Sequence, residues 1–109
     1  MHPIALGVIG LVQDLDHDLT LRQLAALALL ASAEKPIPVR DVAATLGIHK
    51  PATSRALVAL ERRSWIVRTK GEIDRRDVLV AITPSGNRAM DEIVTAMTNS
   101  QRSGRLRAA

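Results

Sequence analysis

Hydrophobic residues recur every three or four positions along the first third of this chain, a spacing that predicts amphipathic helices. A first helix is predicted over residues 3–15, because Pro3 suits a first helical turn. Its apolar stripe consists of Ile4, Val8, Leu11, Val12 and Leu15. A second helix begins after Thr20, which forms a capping box with Gln23. Residues 21–31 are apolar on almost every side, which predicts a helix buried from several directions.

The middle of the chain predicts two short helices joined by a tight turn. Two prolines end the preceding helix, so residues 34–38 are expected to form a turn. A short helix follows over residues 40–46, and Gly47 ends it because glycine adopts a positive φ at little cost. The next helix, over residues 51–63, opens with a proline. The spacing of Ala43 and Gly47 is typical of a helix-turn-helix, whose second helix enters the major groove of DNA.

Runs of β-branched and aliphatic residues later in the chain predict strands. Residues 65–68 and 78–82 form two such runs, with a polar hairpin tip between them. Thr83 and Pro84 then restart a helix as cap and first residue. The predicted fold class is α+β and mostly α-helical, a winged helix-turn-helix. One domain is predicted over residues 1–98, followed by a disordered basic tail over 99–109. Within the domain we expect terminal dimerisation helices over 3–15 and 84–98, a helix-turn-helix over 39–63 and a wing over 65–82.

Composition excludes several kinds of site. Phe and Tyr are absent and Trp65 is the only aromatic residue, so a base-stacking platform for single-stranded nucleic acid is ruled out. The absence of cysteine excludes disulfides, thiolate zinc sites and cysteine nucleophiles. The apolar run over residues 4–12 is too short for a membrane span and is unlike a signal peptide. We therefore expect a cytoplasmic protein with no membrane partner.

The charge distribution indicates a polyanionic partner. The net charge is +4, the pI is about 10.7, and the arginines are clustered rather than spread evenly. The alternative is a basic surface that is merely solvated. The clustered residues are Arg62, Arg63, Arg68, Arg75, Arg76, Arg102, Arg105 and Arg107.

The second helix of the helix-turn-helix and the hairpin together predict an interface for double-stranded DNA. Arg55 can make a bidentate contact with guanine, which discriminates by about 1–3 kcal/mol. Adjacent arginines in the wing can enter the minor groove, where A·T-rich DNA is most negative, while Asp74 braces one of them. The predicted DNA-binding residues are His49, Lys50, Pro51, Thr53, Ser54, Arg55, Arg62, Arg68, Lys70, Arg75 and Arg76.

A set of short segments in a fixed order carries a family resemblance. These segments are Thr20, Val39 to Ala43, Gly47-Ile48-His49-Lys50, Thr53-Ser54-Arg55, Leu57-x-x-Leu60-Glu61, Val67-Arg68, Asp74-Arg75-Arg76 and Ile82-Thr83-Pro84-Ser85-Gly86. Together they resemble the winged helix-turn-helix transcription regulators of the MarR family, in a short form. The resemblance covers residues 19–93 and implies a homodimeric repressor or activator on a pseudo-palindromic operator. It also implies dimerisation through the terminal helices, at Ile4, Val8, Leu11, Val12, Met90, Ile93, Val94 and Met97.

Three departures from the family pattern carry expectations of their own. Ser64 replaces the usual glycine, which costs about 1 kcal/mol if its φ is positive. Trp65 replaces a small aliphatic residue and is expected to fill the core between wing and helices. Both terminal helices are short, so the pocket for a small-molecule effector that many members have is expected to be reduced or missing.

The sequence is also compatible with functions other than DNA binding. A winged-helix module for protein contact, with little specific DNA binding, is the main alternative. A metal site at Asp14, Asp16, His17 and Asp18 is disfavoured, because acidic residues are commoner in caps and linkers than as metal ligands. We predict no metal, no cofactor and no catalytic residues, since no nucleophile, phosphate loop or acid–base grouping is present.

Overall fold

The computed structural model describes residues 2–74 and 76–103, with side chains up to residue 98. The described residues form five helices and three short antiparallel strands, which confirms a mostly helical α+β fold. In chain order the elements are α1 (Ala5–Asp14), α2 (Leu21–Ser32), β1 (Ile37–Pro38), α3 (Val39–Leu46), α4 (Lys50–Arg62), β2 (Ile66–Lys70), β3 (Val78–Ile82) and α5 (Pro84–Ser103).

The described chain divides into two compact units. One holds residues 19–88 and contains α2 to α4 and the sheet. The other holds residues 2–18 and 89–103, which are α1 with its following turn and most of α5. No helix among the described residues is long and apolar enough to cross a membrane.

Side-chain caps set the start of two helices. The hydroxyl of Thr20 accepts a hydrogen bond from the Gln23 N–H (3.1 Å), and the Gln23 side chain accepts one from the Thr20 N–H (3.2 Å). This reciprocal pair is the predicted capping box. At α5 the hydroxyl of Thr83 accepts from the Gly86 N–H (3.0 Å). Both capped helix starts were predictable because each needs only residues within three positions of one another.

The joint between α3 and α4 is the predicted tight turn. Gly47 has φ +69°, and its N–H donates to the carbonyl of Ala44 while that of Ile48 donates to Ala43. Two otherwise orphaned carbonyls at the end of α3 are thereby satisfied. The turn sets α4 against α3, and both helices pack with α2 in the same unit.

The sheet has the order β1-β3-β2. The turn predicted over residues 34–38 is wrong at its end, because Ile37 and Pro38 pair with Val80 and Leu79 as an edge strand. A proline is tolerated at an edge, and the residue before a proline favours an extended backbone. β2 and β3 form the predicted hairpin, and β2 continues to Lys70.

The core of the larger unit is aliphatic, as the composition requires. Trp65 is also buried, which confirms that it belongs to the core. The fully buried side chains of this unit include Leu27, Leu30, Val42, Leu57, Leu60, Ile66 and Val80. A leucine-to-alanine change at one of these positions would leave a cavity and lower the free energy of unfolding by about 2–5 kcal/mol.

The smaller unit differs from the prediction at its ends. α1 begins at Ala5 with Ile4 as its N-cap residue, whereas the prediction began the helix at Pro3. α5 continues to Ser103, so the tail expected from residue 99 begins inside a helix. Residues 104–109 lie outside the described residues. Within this unit His17 Nε2 lies 3.9 Å from Glu92 Oε2.

Candidate nucleic-acid interface

The outward side of α4 carries mostly polar residues in two rows, of which Ser54 and Glu61 are only partly exposed. At 100° per residue, Lys50, Ser54 and Glu61 form one row, and Pro51, Arg55 and Arg62 form the next. His49 precedes the helix in extended conformation, and its exposed side chain makes no capping hydrogen bond. The structure therefore brings together most of the predicted contacts of this helix.

Thr53 does not belong to that face. Its side chain is 0% exposed, and its hydroxyl donates to the carbonyl of His49 at 3.2 Å. The residue lies on the inward stripe with Ala56, Leu57 and Leu60, all of which are buried. The prediction that Thr53 contacts DNA is thus corrected, because its only polar group is used inside the helix.

The wing is closed by short backbone contacts at its tip. The N–H of Gly71 donates to the carbonyl of Asp77 (2.8 Å), and the N–H of Asp77 donates to that of Asp74 (3.0 Å). A Cβ on Gly71 would lie 2.6 Å from the Asp74 carbonyl oxygen, so only glycine fits this approach. Lys70 is exposed at the end of β2. These contacts hold residues 71, 74 and 77 close together at the tip.

Arg76 is a highly exposed cation of the wing. Its side chain is 93% exposed, yet it is held by Asp74, which accepts from its backbone N–H (3.0 Å) and from its Nε (3.4 Å). The bracing role predicted for Asp74 is thereby confirmed for Arg76. Arg75, the other wing arginine of the prediction, lies outside the described residues.

Arg68 has a partner within the protein. Its Nε and Nη2 donate to the Glu61 carboxylate at distances from 2.8 to 3.2 Å, in the two-pronged geometry that guanidinium and carboxylate favour. Glu61 lies on α4 and Arg68 on β2. The pair therefore links the wing to α4. Arg68 was predicted as a cation that contacts DNA, but in the structure its guanidinium is already paired with a carboxylate.

Arg40 belongs to this region although the sequence did not single it out. It lies in the first turn of α3 and donates from Nη1 to Asp77 Oδ1 in the wing. Nothing local marks the pair, because the two residues are 37 positions apart. A cleft of about 230 Å³ lies beside it. Its lining consists of Pro38, Val39, Arg40, Lys50, Ser54, Arg68, Arg76, Asp77 and Val78.

The residues predicted for dimerisation are mostly available on the chain surface. Leu11 and Met90 are half-buried. Ile93 is 1% exposed within the single chain, so it belongs to the core and is corrected as an interface residue. The exposed members are Ile4, Val8, Val12, Val94 and Met97.

The acidic segment over residues 14–18 does not form a metal cluster in the described structure. Over residues 2–74 and 76–98, no three His, Asp or Glu side chains lie close enough together to hold a metal ion. His17 lies beside Glu92, with 3.9 Å between Nε2 and Oε2.

Comparisons with known proteins agree with this architecture. The MarR family model matches residues 17–77, whereas comparison with curated proteins gives no match. The solved structure of an S. aureus MepR–DNA complex is similar at 22% identity and a TM-score of 0.75, over 93% of this chain and 80% of that chain. RV1404 from Mycobacterium tuberculosis is similar at 25% identity and a TM-score of 0.77, over 96% and 71% of the two chains.

A third solved structure links the fold to the family by name. A transcriptional regulator (MarR family) from Rhodococcus sp. RHA1 is 25% identical, with a TM-score of 0.73, over 96% of this chain and 72% of that chain. The family model covers more than half of the chain and ends within the wing. The chain therefore belongs to the MarR family of winged-helix, DNA-binding transcriptional regulators, and it is not an enzyme.

Proposed function

We propose that the protein regulates transcription by binding a specific double-stranded DNA sequence, with α4 in the major groove and the wing in the minor groove. One observation carries the proposal. Within a single compact unit, the exposed face of α4 and the wing with Arg76 border the same basic cleft. A helix and a hairpin separated by such a cleft match the alternation of groove, phosphate ridge and groove along a duplex.

α4 supplies the contacts that distinguish base pairs. Arg55 is exposed and takes part in none of the ion pairs described for residues 2–74 and 76–98. Its guanidinium is therefore available to the O6 and N7 atoms of guanine. Ser54, one position earlier, is suited to either a base edge or a phosphate.

The wing supplies the minor-groove contact. Arg76 projects into solvent while Asp74 limits its conformations, so less side-chain entropy is lost when it enters a groove. A narrow A·T-rich minor groove concentrates negative potential and favours an inserted arginine. We therefore expect A·T-rich flanks on the preferred sites.

The exposed apolar side chains of α1 and α5 support a homodimer. Val8 and Val12 on α1, and Val94 and Met97 on α5, are exposed in the single chain. Covering such side chains stabilises by roughly 25 cal/mol for each Å² removed from water. A symmetric dimer would select a pseudo-palindromic operator, with half-sites about one helical turn of DNA apart.

Selection from a randomised duplex library tests the proposal. The selected duplex and a scrambled one are then compared by fluorescence anisotropy at about 150 mM salt. We expect the selected duplex to bind at least ~10³-fold more tightly. Equal affinities would refute sequence-specific regulation. If light scattering shows a monomer, and its binding to both duplexes is weak, equal and independent of salt, the protein-contact module is favoured instead.

A further inference from the structure

The basic cleft contains one arginine that none of the predicted contacts includes. Arg40 is the second residue of α3, with a side chain that is 57% exposed. It is bonded through Nη1 to Asp77, and its Nε lies 4.0 Å from Asp41. A guanidinium carries five N–H donors, and no contact described for Arg40 involves Nη2. Donors therefore remain for a ligand while the side chain is held in place.

The charge of the cleft favours an anion. Four cationic side chains line it, Arg40, Lys50, Arg68 and Arg76, against the single carboxylate of Asp77. Arg68 and Arg76 have carboxylate partners of their own. Lys50 takes part in no ion pair among the described side chains, and Ser54 adds a hydroxyl donor to the same wall.

The position of the cleft narrows the choice of anion. The N-terminal part of α4 forms one side, through Lys50 and Ser54, and the wing forms the other, through Arg76 to Val78. On a duplex, the major and minor grooves are separated by a sugar–phosphate strand. If α4 occupies one groove and the wing the other, that strand must cross the cleft.

We propose that the cleft binds a backbone phosphate of DNA and that Arg40 is a DNA-contacting residue, which Asp77 holds in the orientation for this contact. The proposal rests on the proposed function, because it needs the two grooves to be occupied as described there. A phosphate contact carries no sequence information, so Arg40 adds to affinity and to register rather than to base discrimination.

The competing explanation is that the Arg40–Asp77 pair only ties the wing to α3. The two explanations predict different effects of Arg40 and Asp77 on the affinity for DNA. As a phosphate ligand, Arg40 strengthens binding and Asp77 opposes it through its negative charge. If the pair only braces the wing, both residues contribute equally to it. Losing either one then weakens DNA binding to the same extent.

The experiment measures anisotropy for the selected and the scrambled duplex between about 50 and 200 mM salt. We expect Arg40→Gln to weaken both duplexes by a similar factor of roughly ten. It should also reduce the slope of log K against log salt by about 0.9, which corresponds to one phosphate. Asp77→Asn keeps a side-chain oxygen that accepts from Nη1 and removes the negative charge, so it should keep or increase affinity. Arg40→Lys should retain the slope.

Arg22→Gln is the matched control, because Arg22 is an exposed arginine of the same unit that does not line the cleft. It should leave the slope unchanged. Equal weakening by Arg40→Gln and Asp77→Asn, with the wild-type slope in both, would overturn the phosphate contact and leave the proposed function standing. A wild-type protein without salt-dependent DNA binding would instead refute the proposed function itself. Thermal unfolding of each variant confirms that the comparison is made between folded proteins.

Discussion

Ser64 shows how much the backbone conformation of one residue can lower the stability of a small protein. Its φ of +64° is the only positive value among the non-glycine residues that the structure describes. The conformation is held from both sides, because its N–H donates to Glu61 (2.8 Å) and its carbonyl accepts from the Thr83 hydroxyl (2.7 Å). The strain expected from the sequence is thus present, and about 1 kcal/mol matters to a domain whose whole stability is roughly 5–15 kcal/mol.

Replacing Ser64 with glycine should stabilise the fold. We expect Ser64→Gly to raise the free energy of unfolding by about 0.5–1 kcal/mol, because glycine adopts this φ without a Cβ clash. Urea denaturation measures the change. Ser64→Ala is the control and should stay close to the wild type, since it keeps the strain. A Ser64→Gly variant that is no more stable than Ser64→Ala would contradict the interpretation.

Arg55 should govern discrimination rather than overall attraction. Arg55→Ala is expected to reduce the preference between base pairs at one operator position by about 1–3 kcal/mol, because a bidentate guanine contact is lost. The measurement is anisotropy on the selected duplex and on its single-base variants. Arg22→Ala should leave that preference intact. If Arg55→Ala weakened every duplex by the same factor, Arg55 would be a phosphate ligand instead.

The two glycines at the joints between elements serve different purposes. Gly47 needs a positive φ, and a Cβ there would meet nothing within 4 Å. Gly86 lies so close to the wing that a Cβ would be 2.1 Å from the carbonyl oxygen of Trp65. One position is a conformational requirement at the turn before α4, and the other is a steric requirement at the start of α5.

Alanine should separate these two requirements. Gly47→Ala is expected to cost about 1 kcal/mol of unfolding free energy, the penalty of a left-handed backbone. Gly86→Ala should cost more, about 2–3 kcal/mol, since backbone must move to remove the clash. Denaturant unfolding of both variants gives the comparison. Equal costs would show that the backbone around Gly86 and Trp65 relaxes to accommodate a Cβ.

The wing is fastened to α4 by the Arg68–Glu61 pair. Both side chains are more than a third exposed, so a coupling energy of only about 0.5–1 kcal/mol is expected. A double-mutant cycle with Arg68→Ala and Glu61→Ala measures it in unfolding. In DNA binding, the double variant should be little worse than Arg68→Ala alone. Strictly additive losses would mean that Arg68 contacts DNA directly.

The sequence predicted what depends on neighbours along the chain. The capping box at Thr20, the turn at Gly47 and the wing hairpin each follow from residues a few positions apart, and the structure contains all three. β1 was missed because two residues at an edge have no periodicity to detect. Arg40 was missed because its partner Asp77 is adjacent only after the sheet has formed.

Two further differences have similar causes. The helical period places Thr53 inside, but threonine is also a frequent DNA ligand, and residue type alone does not decide between the two. α5 extends beyond Thr98 through polar residues, which carry no apolar stripe to mark a helix. Sequence patterns thus located the elements that carry the proposed interface, whereas they missed the ion pairs between those elements.

At the scale of the whole molecule, the exposed apolar side chains of α1 belong to the proposed dimer interface. We expect Val12→Asp to convert a dimer into a monomer in light scattering and to reduce affinity for a two-half-site duplex, because linked binding to both half-sites is lost. Leu21→Asp is a matched control, since Leu21 and Val12 are both 81% exposed. A Val12→Asp protein that stays dimeric would exclude this part of α1 from the interface.

The carboxylates that accompany the interface arginines also affect what the protein ignores. Asp77, Glu61 and Asp74 each occupy a guanidinium that a polyanion would otherwise attract. A chain with a pI near 10.7 meets far more RNA and random DNA than operator in a cell. If a duplex occupies α4 and the wing as proposed, these carboxylates compete with every polyanion, and a duplex that fills both grooves makes the additional contacts that offset their displacement. We therefore expect them to weaken the binding of RNA and random DNA more than the binding of the selected sites.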